Sequence, residues 1–140
     1  MRTVLSCCAL ALLAACSSLM VDSFENLRET NKRNIAQFSA GMSRAEVERV
    51  MGNAEVGGSL FDVLYGRVQY QSAKNPMREE RVRGSDGAEY EVLFYYTDLI
   101  TRDEKITDDE LTPIAFRDGR IAGIGYGFLG PRVSKYSQYR

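Results

Sequence analysis

A chain of 140 residues with a net charge close to zero has room for one domain and no general field to draw nucleic acid. It contains no histidine, which removes Ser-His-Asp and Cys-His catalysis and the commonest zinc ligand. It has no P-loop; the Gly-x-Gly pattern at Gly123 to Gly127 sits in a strand pattern without a predicted helix behind it and reads as backbone packing.

The N-terminus falls into zones. Arg2 supplies a positive charge, Val4 to Leu13 is an apolar run, and Leu13-Ala14-Ala15-Cys16 closes it. The run is too short for a spanning helix, which needs about 20 apolar residues, and has the build of a secretion-signal core. Residues 1–15 are therefore expected to be a signal peptide. Cys7 and Cys8 would leave with it, so Cys16 would be the sole thiol of the mature chain and no internal disulfide could form. Leu13-Ala14-Ala15-Cys16 resembles the lipobox of bacterial lipoproteins. That resemblance implies cleavage just before Cys16 and attachment of lipid to its thiol. At about 0.8 kcal/mol per buried methylene, such acyl chains anchor a protein in effect permanently. Ser17, where an Asp would imply inner-membrane retention, implies the outer membrane by the same resemblance. Residues 16–23 read as the lipidated tether.

Residues 24–38 are then expected to be helical, with Phe24, Leu27, Ile35 and Phe38 forming a rough apolar stripe and Gly41 breaking the helix. Ser43-Arg44-Ala45-Glu46 is a capping box, flanked by Met42 and Val47 in hydrophobic-staple positions. It predicts a second helix from Arg44 to Met51, ended by Gly52. Residues 60–70 read as extended, and Asn75-Pro76 as a break. The charged stretch from Arg78 to Arg83 suits an exposed edge strand, and Ser85-Asp86-Gly87 a turn. Tyr90 to Thr97 is the most strand-like stretch; apolar residues on both its faces predict a central strand covered on both sides.

Asp103, Glu104, Asp108, Asp109 and Glu110 follow. A carboxylate pair could serve acid–base chemistry or calcium. However, the run lacks the glycine and spacing of an EF-hand loop and includes Arg102 and Lys105, so a solvated charged loop is expected. Asp118-Gly119 predicts a two-residue hairpin turn of type I′. In that register Phe116 and Ile121 share one face, with Ile114 opposite Gly123. The glycine would let a helix approach, so the helices are expected on Ile114, Phe116 and Ile121. The other face would show Ala115, Ala122, Ile124 and Tyr126. Pro131 ends the last strand and leaves residues 131–140 as a basic tail.

These elements predict an α+β domain over residues 24–130: two N-terminal helices packed on one face of a small antiparallel β-sheet, ααβββ-like and open to an added edge strand. The Gly41-Met42-Ser43-x-x-Glu46-Val47 segment, with helices on both sides and Gly52 at its end, is similar to the BamE (SmpA/OmlA) group of small outer-membrane lipoproteins. Asn75-Pro76, the strand from Tyr90 to Thr97, and the run from Ile106 to Pro113 leading into Phe116 to Gly119 look closer still to an uncharacterised set of bacterial lipoproteins related to that group. Where the group carries Gly-x-Pro after its second helix, this chain has Gly52-Asn53-Ala54. The resemblance thus implies the fold more firmly than a role in β-barrel assembly.

The expected function is a non-catalytic, lipid-anchored envelope lipoprotein that binds another envelope protein or complex, at the periplasmic face of the outer membrane, in its assembly or maintenance. It would be held to the membrane through lipid on Cys16, with no cofactor, no metal site and no nucleic-acid partner. The alternative is a lipoprotein that binds a small ligand, lipid headgroups or peptidoglycan. The expected contact surface is the outward sheet face at Ile124 and Tyr126 together with Arg132, Lys135, Tyr136 and Tyr139, because tyrosine and arginine often carry interface energy.

Overall fold

The computed structural model describes residues 23–57, 72–101 and 105–139. The expected signal peptide, Cys16, all of the tether before Ser23 and the expected extended stretch 60–70 lie outside the described residues.

Helix α1 (Ser23–Ile35) gives way at Ala36 to hydrogen-bonded turns, with Gln37 N–H on the Asn34 carbonyl and Phe38 N–H on that of Ile35. Helix α2 (Arg44–Met51) has the predicted bounds and the predicted capping box. The Glu46 N–H reaches Ser43 Oγ at 3.3 Å, and the Ser43 N–H reaches Glu46 Oε2 at 2.9 Å. The Ser43 hydroxyl, which donates to Glu46 Oε2 at 2.7 Å, and then the Ser43 N–H hold the Glu46 carboxyl below its ordinary range. Gly52 closes the helix at a φ of 64°, where a side chain would be strained.

Two antiparallel sheets follow. A ribbon pairs β1 (Glu55–Val56) with β2 (Ala73–Lys74). The main sheet has four strands in chain order: β3 (Arg78–Arg83), β4 (Glu89–Tyr96), β5 (Leu111–Arg117) and β6 (Arg120–Ile124). The architecture is α+β. Strand β3 lies at the edge, as its charges suggest, and β4 is central, with Val92 to Tyr96 buried on both faces. The β5–β6 turn has positive φ at both Asp118 and Gly119, as a type I′ turn requires. The strip joining the helices lies against β6: Gly41 N–H bonds the Ile121 carbonyl at 2.9 Å, and Ile121 N–H that of Met42 at 2.8 Å.

Each face of the sheet has its own core. On one face Val47 and Met51 of α2 pack with Leu93, Tyr95, Ile114, Phe116 and Ile121, flanked by Ile35 and Phe38. On the other, Tyr90, Val92, Phe94, Tyr96 and Ala115 pack with Leu27 of α1 and with Leu129, Val133 and Tyr136. These last belong to a C-terminal segment of a short helix α3 (Tyr126–Leu129) and a 3-10 turn at Ser134–Tyr136. The stretch expected to be a projecting basic tail is thus a layer of the core as far as Tyr139.

The register of β6 differs from the expected one. Phe116 pairs Ile121, but a bulge at Ala122 puts Gly123 opposite Ala115 and Ile124 opposite Ile114. Ile124 therefore turns to the α2 side rather than to the outward face. Gly123 does leave room for a neighbour, but the neighbour is Phe128. A Cβ on Gly123 would lie 2.1 Å from that ring.

Candidate functional site

The main sheet has two unlike ends. At one, the β3–β4 and β5–β6 turns meet the start of α2. The connecting strip delivers Arg44 to this end, its N–H on the Gly119 carbonyl at 2.8 Å. Its guanidinium then reaches Glu48 at 2.7 Å, Glu79 at 2.9 Å and Glu91 at 2.8 Å, while Arg81 takes the other oxygen of Glu91 at 3.0 Å. Hydrogen bonding to Glu79 leads the causes that push Arg44 up, and the same bond holds Glu79 below the usual carboxylate range. Beside this network opens a cleft of about 390 Å³ lined by Arg81, Glu89, Tyr90, Glu91, Phe116, Asp118 and Gly119. Both oxygens of Glu91 are engaged, Glu89 makes no ion pair among the described residues, and Asp118 meets only Arg117, at 3.8 Å. The cleft can bind charged groups, and its excess of carboxylate favours a cationic one.

The residues expected to form a contact surface do not share a face. Ile124 packs with the α2-side core. Tyr136 is buried in the opposite core, its hydroxyl donating to Glu80 Oε2 at 2.6 Å. Tyr126 donates to the Asp108 carbonyl at 2.7 Å and stacks on Tyr139 with centroids 4.8 Å apart; both rings are half-buried. Arg132 lies over the Phe128 ring at 4.0 Å and bonds the Phe128 carbonyl. Lys135 is exposed and pairs with Glu80. These contacts clasp the C-terminal segment to the sheet and leave Lys135 as the most open of the six.

The acidic run is not simply a solvated loop either. Glu110 is buried, and its carboxylate accepts from the N–H groups of Ile100 at 2.7 Å, Thr101 at 3.1 Å and Thr107 at 3.2 Å. Asp108 pairs with Arg78 at 2.6 Å, and the Arg78 guanidinium lies 4.1 Å from the Phe94 ring centre. Thr107 and Glu110 form half of a second capping box, with the Thr107 N–H on the Glu110 carboxylate and the Glu110 N–H on the Thr107 carbonyl, a Thr-x-x-Glu signal present in the sequence and obscured by the charges around it. Asp103 and Glu104 lie outside the described residues. Among the described residues no cluster of three or more Asp, Glu, His or Cys could hold a metal. No described helix is long and apolar enough to cross a membrane.

A family model described as "Protein of unknown function (DUF3192)" matches residues 12–128. The chain belongs to the DUF3192 family. The DUF3192 match takes in Leu13-Ala14-Ala15-Cys16, both long helices and the whole main sheet, and ends within α3. No curated protein and no solved structure matches this DUF3192 chain.

Proposed function

We propose that this protein is a non-catalytic lipoprotein of the bacterial cell envelope, anchored by lipid on Cys16 at the periplasmic face of the outer membrane, where it binds another envelope protein or complex. The observation that carries this reading is Leu13-Ala14-Ala15-Cys16 at the close of a short apolar run behind Arg2. The α2 capping box and the α+β order support kinship with the BamE (SmpA/OmlA) group; the helix packing departs from the expected two helices on one face, since α2 packs on Ile114, Phe116 and Ile121 while Leu27 of α1 lies in the opposite core. Outer-membrane assembly or maintenance is the process such kinship favours.

For a protein partner, the natural contact is the charged cleft at the turn end. Its open carboxylates, Glu89 and Asp118, suit basic side chains, and charge complementarity of this kind sets specificity and on-rate. The second reading, a small or polymeric ligand bearing cationic groups, draws on the same cleft, which is concave and lined by convergent polar groups.

The test has two arms. Cys16→Ser should release the folded protein from membranes; retention after a high-salt wash would refute the lipid anchor. A photo-crosslinking residue at Asp118 should capture an envelope protein in cells. Capture of nothing there, with a soluble cationic ligand bound instead, would favour the second reading.

A further inference from the structure

We propose that the end of the sheet opposite the cleft, the end bearing Ile100 and Val50, is the surface this protein lays against lipid; the inference rests on the lipid-anchor reading of Cys16. Four strand termini define that end: β4 finishes there at Tyr96, β5 starts at Leu111, β3 starts at Arg78 and β6 finishes at Ile124. Helix α1 crosses it, with Asn31 Nδ2 on the Tyr96 carbonyl at 2.9 Å. Helix α2 runs down to it from the cleft end, and Asn75 Nδ2 bonds the Met51 carbonyl at 2.9 Å.

The two exposed large hydrophobic side chains among the described residues both lie here: Ile100 at 59 % and Val50 at 37 % exposure. Single exposed aliphatics are ordinary. Their shared position is what matters, and so is the support under Ile100. The buried Glu110 carboxylate holds the Ile100 and Thr101 N–H groups, and the Glu110 carbonyl accepts from Thr97 and Asp98. The loop therefore presents an apolar side chain on a fixed backbone, so ordering it at an interface costs little entropy.

The occupant follows from the anchor. Ser23, the first residue of α1, lies seven positions after Cys16. At about 3.5 Å per extended residue the lipid is within about 25 Å of the helix start. The eight residues of β4 span about 26 Å at 3.3 Å each, so the turn end lies about that far along the strands from the end at which the tether joins, and the proposed orientation turns the joined end to the bilayer. This orientation puts the apolar side chains at the headgroup boundary and turns the charged cleft toward the periplasm. Asp98 and Asp109 are exposed beside Ile100, and Lys32, Arg33 and Lys105 are exposed at the same end, so the surface carries both signs and suits zwitterionic lipid.

The experiment uses full-length lipidated protein in phosphatidylcholine vesicles, with Ile100→Cys, Val50→Cys or Asp118→Cys carrying an environment-sensitive fluorophore. Flotation comes first, and a protein that does not float refutes the anchor and this proposal with it. In floating samples, a lipid with a nitroxide in its acyl chain should quench the labels at 100 and 50 several-fold more than the label at 118. Equal quenching at the three positions would leave the anchor standing and overturn the proposed orientation.

Discussion

The side chains of Asn31 and Asn75 bond each other twice. Asn31 Nδ2 donates to Asn75 Oδ1 at 2.9 Å, and Asn75 Nδ2 returns a bond to Asn31 Oδ1 at 2.7 Å. Their remaining protons go to the carbonyls of Tyr96 and Met51. A pair of buried amides thus ties α1, the end of α2, the bend before β3 and the end of β4. Neither amide can lose its partner without leaving polar atoms dry. Asn31→Ala strands the Asn75 side chain and the Tyr96 carbonyl, and should cost about 3 kcal/mol, since each unmet buried group costs about 1–3. Asn34→Ala, which loses an exposed bond to the Val50 carbonyl, should cost less than about 1 kcal/mol. Urea midpoints for the two variants check this, and equal losses would mean the pair carries no special weight.

Gly123 is held small by the Phe128 ring. Gly123→Val should therefore destabilise by about 1–3 kcal/mol through overpacking. Phe128→Ala made alone should also destabilise, but in the double variant the two losses should not add, because each change makes room for the other. Full additivity in thermal melts would place the collision elsewhere.

How much of this was legible depends on whether a residue's local signal agreed with its tertiary use. The Ser43–Glu46 box and the Asp118-Gly119 turn are complete within a few residues, and both stand where the sequence puts them. The charges of β3 mark an edge for the same reason. The bulge at Ala122 has no such signature: one extra residue moves Ile124 to the other face while leaving the apolar pattern intact. Val133, Tyr136 and Tyr139 recur at threes between basic residues, a pattern that serves a tail as well as a packed turn. Glu110 is hidden among carboxylates, and only the backbone donors of Ile100, Thr101 and Thr107, supplied by the fold, set it apart. The cleft draws on β3, β4, β5 and the turn after it, so no single stretch of sequence announces it.

Acid should loosen the C-terminal clasp. Burial pushes the Glu80 carboxyl up, but the hydrogen bonds from Lys135 and Tyr136 outweigh it, and the net position is below the ordinary range. In a window below the ordinary glutamate value of about 4.3, the folded protein then binds fewer protons here than the unfolded chain. The stability from this site is complete above that window and is lost as pH falls through the depressed value. Glu80→Gln should be the less stable protein at pH 7, with the gap narrowing below about pH 4.3. Melting curves from pH 7 to the acid limit test it; a gap that stays constant with pH would show that the ionised carboxylate is not what holds the segment.

Tyr136 decides whether the last residues are core or tail. Its ring lies 5.7 Å from that of Phe94, its hydroxyl meets Glu80, and it is 2 % exposed. Tyr136→Ala should cost about 3–5 kcal/mol, as for other large aromatic truncations in a core. Tyr136→Phe, which keeps the ring and loses one bond to a carboxylate, should cost about 1–2 kcal/mol. A frayed terminus would leave the melting midpoint unmoved in both. The distinction governs any search for a partner, because deleting residues 132–140 strips Val133 and Tyr136 from the sheet and should abolish cooperative unfolding. A partner lost on that deletion would report a lost fold. Lys135→Ala removes an exposed ammonium with its ion pair to Glu80 and its contact over the Tyr136 ring, and should change stability by about 1 kcal/mol. A fall in crosslinking yield in that variant, with unfolding still cooperative, is the result that would assign this segment a contact.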